Sequence, residues 1–185
     1  MIRAARSDEL SLLQTLEQAA GAPFRELAMH SIADDEPPSL EDLAAFQQSG
    51  RAWVVADVDD RPVAYLLVDV VDGSAHVEQV SVHPDHARRG LGAALLDHAA
   101  VWAQQHGLAS LTLTTFTDVP WNGPYYQRLG FRHLSDTELT PGLRAIRARE
   151  AERGLDAWPR TTMRRDITSE LSVPRSRRRR GDSCR

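Results

Sequence analysis

Residues 88–93, Arg-Arg-Gly-Leu-Gly-Ala, have the composition of an anion-binding loop and lie between a β-rich run and an amphipathic helical pattern. The first turn of a helix offers about four unpaired amide N–H groups and the positive end of the helix dipole. Gly90 and Gly92 lack the side chains that would keep a phosphate away from those amides, and Arg88 and Arg89 add positive charge. This combination predicts a site for a pyrophosphate.

Two well-known phosphate-binding motifs do not describe this loop. The Lys-Ser/Thr ending of a P-loop is missing, and a dinucleotide-binding fingerprint would need Gly where the chain has Leu95. A Gly-x-Gly pair alone also fits a loop with a purely structural role, and that alternative stays open on these residues. The preceding strand, the paired arginines and the following helix favour a ligand site.

The surrounding residues predict an α/β fold with helices on the faces of a mostly antiparallel sheet. Helical spacing and capping residues indicate helices at 7–20, 39–48, 90–106, 122–129 and 141–153. Alternating or β-rich runs indicate strands at 52–58, 63–71, 75–82, 108–116, from 131, and 158–167. Residues 21–38 fit no regular element, and we expect the arginine-rich tail at 168–185 to be disordered.

Composition indicates a soluble, cytoplasmic protein with a single domain at 1–167. Of its 185 residues, 42% are hydrophobic and 26% charged, and no apolar run approaches the roughly 18 residues of a membrane span. Cys184 is the only cysteine, so internal disulfides and cysteine metal sites are not expected.

All 22 basic residues are arginines. The tail carries a net charge of +4, so −8 lies on the rest of a chain whose total is −4, and nucleic acid is not an expected partner.

The strand and loop together resemble the hallmark of the GNAT superfamily of acyl-CoA-dependent N-acetyltransferases, which is Arg/Gln-x-x-Gly-x-Gly/Ala after a strand of the type V-x-V-x-P. Residues 80–84 are Val-Ser-Val-His-Pro. Arg88 lies one position nearer to the first glycine than in the strict pattern, whose first position is Ala87 here. A second hallmark, Tyr-x-x-x-Gly-Phe, is present at 126–131, and the resemblance covers about residues 1–167.

The resemblance implies a GNAT-like sheet of about six or seven strands with about four helices. It implies transfer of the acetyl group of acetyl-CoA to a primary amine by direct attack in a ternary complex, without a metal. The alternative is a related domain that binds acyl-CoA without catalysis, as a sensor or interaction module, and a homodimer also stays open. Cofactor contacts are expected from Val80, Ser81, Val82, Arg88, Arg89, Gly90, Leu91, Gly92, Ala93 and Asn122. The alternative role of Asn122 is a helix cap.

The resemblance also implies proton-transfer roles. An amine with a pKa of ~10.4 is almost fully protonated at pH 7, so a base must act before attack, and the departing thiolate gains from a proton donor. Tyr126 is the predicted donor, and Tyr125 should face another direction and pack. His76 and Glu78 lie two positions apart in one strand and therefore point to the same face. The resemblance makes Glu78 the first choice for the base and His76 the second. The alternatives are packing for Tyr126 and simple solvent exposure for the other two.

The acceptor site is less defined by the sequence. Residues 34–36, Asp-Asp-Glu, either attract a cationic acceptor or form an ordinary solvated loop. Phe24, Trp121 and Trp158 are candidates for an apolar slot or for core packing. The remaining histidines lack the spacing of metal ligands, so no metal site is predicted.

Overall fold

The computed structural model describes residues 1–167, which build a seven-stranded mixed sheet with helices on both faces. The strands are β1 (Ile2–Ala4), β2 (Ala52–Ala56), β3 (Pro62–Val71), β4 (Ser74–Val82), β5 (Ser110–Phe116), β6 (Arg132–His133) and β7 (Arg160–Asp166). The α-helices are α1 (Leu10–Gly21), α2 (His30–Ala33), α3 (Leu40–Gln48), α4 (Leu91–Gln105), α5 (Gly123–Arg128) and α6 (Pro141–Glu152). The strand order is β1-β2-β3-β4-β5-β7-β6, and all neighbours are antiparallel except β4 and β5.

The predicted fold class is confirmed, and the longer elements agree closely with their predicted bounds. Ser39 caps α3, since its hydroxyl accepts a hydrogen bond from the Asp42 amide at 3.0 Å. The differences concern short elements: β1 has only three residues, and α2 is one turn inside the stretch expected to be irregular. No helix within residues 1–167 has the length and apolar character needed to cross a bilayer. The predicted tail at 168–185, with Cys184, lies outside the described residues.

Two apolar cores lie on opposite faces of the sheet because neighbouring strand residues alternate between them. Trp53 and Val55 on β2 pack in the core that includes α4, whereas Ala52 and Val54 pack in the core formed with α1 and α3. We call these two sides the α4 face and the α1 face. The larger core, on the α4 face, buries one side of α4 against the middle of the sheet.

Helix α6 is held on the α1 face by the carboxylate of Glu150. This carboxylate accepts hydrogen bonds from the Thr114 hydroxyl, from Arg160 Nη2 at 2.8 Å and from Arg147 Nη1 at 2.6 Å. Thr114 follows Leu113, which belongs to the α4-face core, so alternation along β5 places Thr114 on the opposite face. The polar side of α6 therefore faces β5 and β7 on the α1 face.

A β-bulge at Glu78 interrupts the regular alternation of β4. The register between β3 and β4 shifts by one residue there, because Val77 and Gln79 face consecutive residues of β3 and Glu78 faces none. As a result, Val77 and Val80 both pack on the α4 face although they are three positions apart. The bulge therefore leaves Glu78 without a partner on β3 and changes its position from the one it would have in a regular strand.

Strands β4 and β5 pair only near their beginnings, at Ala75–Leu111 and His76–Thr112. Beyond those two pairs, β5 stays bonded to β7, and no other strand of residues 1–167 lies on that side of β4. The sheet consequently opens into a gap between two central strands. One edge of β4 borders this gap.

Gly123, the first residue of α5, leaves no room for a side chain, because a Cβ built there would lie 2.5 Å from the carbonyl oxygen of Thr117. We expect Gly123→Ala to push the loop and helix apart and to lower the free energy of unfolding by about 1–3 kcal/mol, the usual cost of overpacking. Gly21→Ala is the matched control, since a Cβ there meets nothing closer than 3.5 Å and helices favour alanine. Chemical denaturation measures both variants, and wild-type stability of Gly123→Ala would contradict this packing.

Candidate active site

The loop between β4 and α4 folds into a concave row of amides. Arg88 has a φ of 60° and Gly90 a φ of 76°, so two left-handed residues turn the chain on either side of Arg89. The first hydrogen bond of α4 runs from the Ala94 amide to Gly90 O at 3.0 Å, which leaves the amides of 91–93 ahead of the helical ladder. They lie at the positive end of a 15-residue helix. This arrangement suits a phosphate group.

The hydroxyl of Tyr125 lies against the same loop, although the sequence predicted a packing role for it. A Cβ built on Gly92 would lie 3.2 Å from Tyr125 Oη and 3.8 Å from Val82 Cγ2, so glycine makes room for the phenol. Burial raises the pKa of Tyr125, and a hydrogen bond from the Ala93 amide to its oxygen limits that rise. The guanidinium of Arg128 lies 5.9 Å from the centre of the tyrosine ring. Tyr125 therefore presents a polar group beside the amides of the loop.

Main-chain groups of β4 point into the gap between β4 and β5. The His83 amide donates a hydrogen bond to Val63 O at 2.9 Å, and bonded pairs alternate with non-bonded pairs along an antiparallel ladder. With the observed register, the N–H and C=O groups of Val80 and Val82 must point away from β3 and into the gap. Ser81 is turned the other way, with its main chain toward β3 and its side chain only 4% exposed. Its orientation does not fit the predicted contact with a cofactor.

Tyr126 packs its ring against the α4-face core. The ring centre lies 5.8 Å from that of Phe131 and 5.5 Å from that of Tyr125, in edge-to-face arrangements. Burial raises the pKa of Tyr126 well above its ordinary value near 10. The ring therefore has a packing role, while its phenol keeps the proton that a donor needs at neutral pH.

Arg165 on β7 holds α5 against α4. Its Nη1 donates to Leu129 O at 3.3 Å, at the end of α5, and its Nη2 donates to Leu96 O at 3.2 Å, within α4. An ion pair with Asp97 at 3.1 Å adds a second contact to α4. One side chain thus connects the helix that carries the two tyrosines to the helix that begins with the amide loop.

Asn122 occupies the N-cap position of α5. Its carbonyl accepts a hydrogen bond from the Tyr126 amide at 2.9 Å, but its side chain makes no capping hydrogen bond. The helix-cap alternative therefore holds for its main chain and not for its side chain. The half-buried side-chain amide adjoins the start of α5.

His76 and Glu78, the two candidate bases, have different surroundings. His76 is 2% exposed, and its Nδ1 shares a hydrogen bond of 2.9 Å with the Thr112 hydroxyl. Burial lowers the pKa of His76 to about 4, which makes the imidazole a weak and shielded base. Glu78 is exposed, yet partial desolvation of its carboxylate raises its pKa, and the charge of Asp69 adds to the rise. The carboxylate of Glu78 is open to a substrate and the imidazole of His76 is not, while the role of either residue as base stays a prediction.

Charged side chains from several elements lie within electrostatic reach of Glu17 or of Glu78. We call this group the charged cluster, and its members are Glu17, Asp35, Asp69, Glu78, Arg149, Glu150 and Arg153. Arg153 Nη2 pairs with Asp35 Oδ2 at 2.9 Å, and its charge lowers the pKa of both Glu17 and Glu78. The guanidinium of Arg153 therefore lies within electrostatic reach of two carboxylates that come from α1 and from β4.

Glu17 in this cluster was not predicted from the sequence. Its Oε2 accepts a hydrogen bond from the hydroxyl of Tyr65 on β3, and burial raises the pKa of Glu17 to about 7. A single glutamate on an amphipathic helix carries no sequence signal that separates it from a solvated one. Of the predicted acidic stretch, Asp34 pairs with Arg25 and Asp35 with Arg153, so both are already in ion pairs.

Aromatic residues cluster at the end of β5. The ring centre of Phe24 lies 5.5 Å from that of Trp121 and 5.8 Å from that of Phe116, which in turn lies 6.4 Å from Trp158. Phe24 and Trp158 pack against this cluster, whereas Trp121 is 40% exposed. Core packing therefore describes the first two, and Trp121 keeps an open surface. Among residues 1–167, no group of His, Cys, Asp and Glu side chains is arranged to hold a metal ion.

Comparison with known proteins identifies the class to which this fold and site belong. The model of the acetyltransferase (GNAT) family matches residues 12–131, which include the amide loop, β4 and both tyrosines. Because the match spans more than half of the chain, this protein belongs to the GNAT family of acetyltransferases. The resemblance seen in the sequence is thereby confirmed.

Individual relatives agree with this assignment. The chain is 34% identical to the [ribosomal protein bS18]-alanine N-acetyltransferase of Salmonella typhimurium over 77 residues, which is 42% of this chain and only 52% of that enzyme. The crystal structure of the ribosomal-protein-S18-alanine N-acetyltransferase from Escherichia coli is similar with a TM-score of 0.63 and 20% identity, over 94% of this chain and 97% of that one. The PaiA N-acetyltransferase from Thermoplasma acidophilum, in complex with coenzyme A, gives a TM-score of 0.66 and 13% identity, over 90% and 98%. The structural likenesses concern the fold.

The burial of His76 predicts a specific pH dependence of stability. The unfolded chain binds a proton at this residue below pH 6.5, whereas the folded protein does so only near pH 4, so stability is lost as the pH falls between these values. The full effect corresponds to about 3 kcal/mol. We expect His76→Asn, which can keep the bond to Thr112, to lack this loss. Urea denaturation of both proteins at pH 7 and pH 4 measures the difference, and parallel losses would contradict the buried neutral imidazole.

Proposed function

We propose that this protein uses acetyl-CoA to acetylate a primary amine, with residues 1–167 as its catalytic domain. The observation that carries the proposal is the continuity between the amide loop at the start of α4 and the open edge of β4, which together suit a long ligand with a diphosphate at one end. The named activity of the Salmonella typhimurium relative and the coenzyme A in the Thermoplasma acidophilum structure support it.

Residues of both features fit the parts of the coenzyme. The amides of 91 and 92 suit the diphosphate, and Arg88 and Arg89 add charge. The Tyr125 hydroxyl accepts from the Ala93 amide and is placed to donate to the same group. The main-chain groups of Val80 and Val82 suit a pantetheine arm that lies along β4 as an added strand. The uncapped side chain of Asn122 is a further candidate contact. When bound, acetyl-CoA supplies an acetyl group activated as a thioester.

Glu78 and Tyr126 are assigned the proton transfers. Glu78 takes a proton from the ammonium of the acceptor, and its raised pKa makes it a stronger base than an ordinary glutamate. Tyr126 keeps a proton for the thiolate that departs. Direct attack by the amine in a ternary complex needs no nucleophile from the protein. A domain that only senses acyl-CoA would need the loop and the strand edge but neither of these groups.

Arg88→Ala should weaken the binding of coenzyme A. Loss of a guanidinium beside the diphosphate is expected to raise the Kd about tenfold, or ~1.4 kcal/mol, and to reduce its dependence on salt. Arg61→Ala removes the same charge from the exposed turn between β2 and β3 and is the matched control. Calorimetric titration with coenzyme A measures all three proteins. An equal Kd for Arg88→Ala and wild type contradicts the phosphate site, and no binding by the wild type contradicts the proposed function.

The two adjacent tyrosines allow a test in which the same hydroxyl is removed at neighbouring positions. Tyr126→Phe should lower kcat by about 100-fold or more, because a general acid contributes in that range, and should leave the Kd for coenzyme A unchanged. Tyr125→Phe should instead raise that Kd about fivefold, the effect of one lost hydrogen bond. Thiol release with a panel of amines measures kcat, and calorimetry measures the Kd. Full activity of Tyr126→Phe would show that it is not the donor.

A further inference from the structure

Helix α5, which carries both tyrosines of the site, is too short to be stable by itself. It has six residues, whereas isolated helices of fewer than about 12 residues are marginal in water. Its beginning lies against the preceding loop, because Gly123 closely approaches the carbonyl of Thr117. Tyr126 lies in the last turn of the helix, so the place of its ring depends on the contacts made at the end of α5.

Arg165 on β7 makes contacts of this kind. Its Nη1 donates to the carbonyl of Leu129, the C-cap residue of α5, at 3.3 Å, where a helix leaves carbonyls without partners. Its Nη2 donates to the carbonyl of Leu96 in α4 at 3.2 Å, and the pair with Asp97 keeps the group on α4. The side chain is only 18% exposed. One planar guanidinium therefore fixes the end of α5 relative to α4.

A second path leads from the same guanidinium to the ring of Tyr126. The Arg165 Cζ lies 5.3 Å from the centre of the Phe131 ring, and that centre lies 5.8 Å from the centre of the Tyr126 ring. Phe131 is 3% exposed, and its amide donates to the carbonyl of Tyr126 at 3.1 Å. Arg165 consequently contacts both the helix end and the aromatic ring that supports the tyrosine.

Helix α4 is the common reference for the two halves of the site. It begins with the amide loop, and Leu96 lies five residues after Leu91, or ~7.5 Å along the helix axis. The bridge from Leu96 to Leu129 therefore joins the element that carries the loop to the element that carries the proton donor. A displacement of about 1 Å between reacting groups can lower a rate by about 100-fold. The accuracy of this bridge should matter for catalysis.

We propose that Arg165 is a positioning residue, which places the Tyr126 hydroxyl relative to the amide loop by joining α5 to α4. This inference rests on the proposed function, in which Tyr126 is the proton donor. Arg165 acts through the tyrosine and takes no part in the proton transfer. Its removal should therefore lower kcat much more than it weakens the binding of coenzyme A.

The experiment is a double-mutant cycle of Arg165→Met and Tyr126→Phe, with kcat measured by thiol release at saturating amine and acetyl-CoA. Arg165→Met should lower kcat about tenfold when Tyr126 is present and less than about twofold in Tyr126→Phe, where no donor is left to be placed. The KM for the amine should not change. Calorimetry should show a Kd for coenzyme A that rises no more than the roughly fivefold expected for Tyr125→Phe.

Hydrogen exchange provides a measurement that needs neither coenzyme nor activity. The amides of Leu129 and Phe131 both donate to the carbonyl of Tyr126, at 3.0 Å and 3.1 Å. In the protein without ligand, Arg165→Met should increase the exchange rates of these two amides about tenfold, because the end of α5 opens more easily. Exchange at wild-type rates would contradict the bridge.

Two further variants serve as controls. Arg164→Met removes the same charge from the preceding residue of β7, which points to the opposite face and pairs with Asp166, and it should keep wild-type kcat and exchange. Arg165→Lys keeps the charge without the planar fork and should still lose kcat several-fold. It also keeps the test valid if Arg165→Met does not fold, which circular dichroism at the assay temperature shows.

The outcomes separate this inference from the proposed function. If Arg165→Met lowers kcat equally with and without the Tyr126 hydroxyl, the positioning role is wrong and the acetyltransferase activity stands. Wild-type kcat of Arg165→Lys would also overturn the role of the bridge. If Tyr126→Phe is fully active, the donor assignment and this inference are both wrong. If no amine supports thiol release although coenzyme A binds, the proposed transfer itself is wrong.

Discussion

Strands β4 and β5 lie side by side in the centre of the sheet and yet share only two residue pairs. A strand edge without a neighbour leaves N–H and C=O groups without partners, which proteins normally avoid. In this protein the open edge runs from the bulge at Glu78 to the amide loop at Arg88. The candidate base, the main-chain groups and the loop amides therefore occur in one continuous stretch, and their spacing is set by the point where β4 leaves β5.

The two faces of the sheet supply different chemistry to this gap. Helices α4 and α5 lie on the α4 face and bring the loop amides with Tyr125 and Tyr126. Helices α1 and α6 cover the α1 face and carry members of the charged cluster. The gap between β4 and β5 separates these two sets of groups. Under the proposed function, two substrates that enter from opposite faces would meet at this gap, as direct transfer between them requires.

Local chemistry in the sequence was enough to predict the features that depend on adjacent residues. The residues that follow Ser39 indicate that it caps a helix, and the residues around the two glycines of the loop indicate why side chains are absent there. Strand β1 was missed because three residues cannot show alternation. The bulge at Glu78 was missed because a bulge is defined by the register with another strand.

Contacts between distant parts of the chain explain the other differences. Tyr125 was expected to pack because its direction was inferred from α5 alone, whereas Arg165 fixes how α5 lies against α4. His76 was a reasonable base on an exposed strand, but its position opposite Thr112 leaves it buried. Glu17 and Tyr65 are 48 residues apart, and only the packing of α1 on the sheet joins them. Such contacts have no local pattern that a single sequence could display.

The arginine-only composition has a consequence for the chemistry that this family performs. Every ion pair described above uses a guanidinium as its cation, and none of the 185 residues is a lysine. A guanidinium stays protonated at any physiological pH and is a poor nucleophile, whereas the amine of a lysine reacts with thioesters. No side chain of this protein therefore offers an amine that an activated acetyl group could modify, either within one molecule or between copies. The charges that hold its helices in place are chemically inert toward self-acylation.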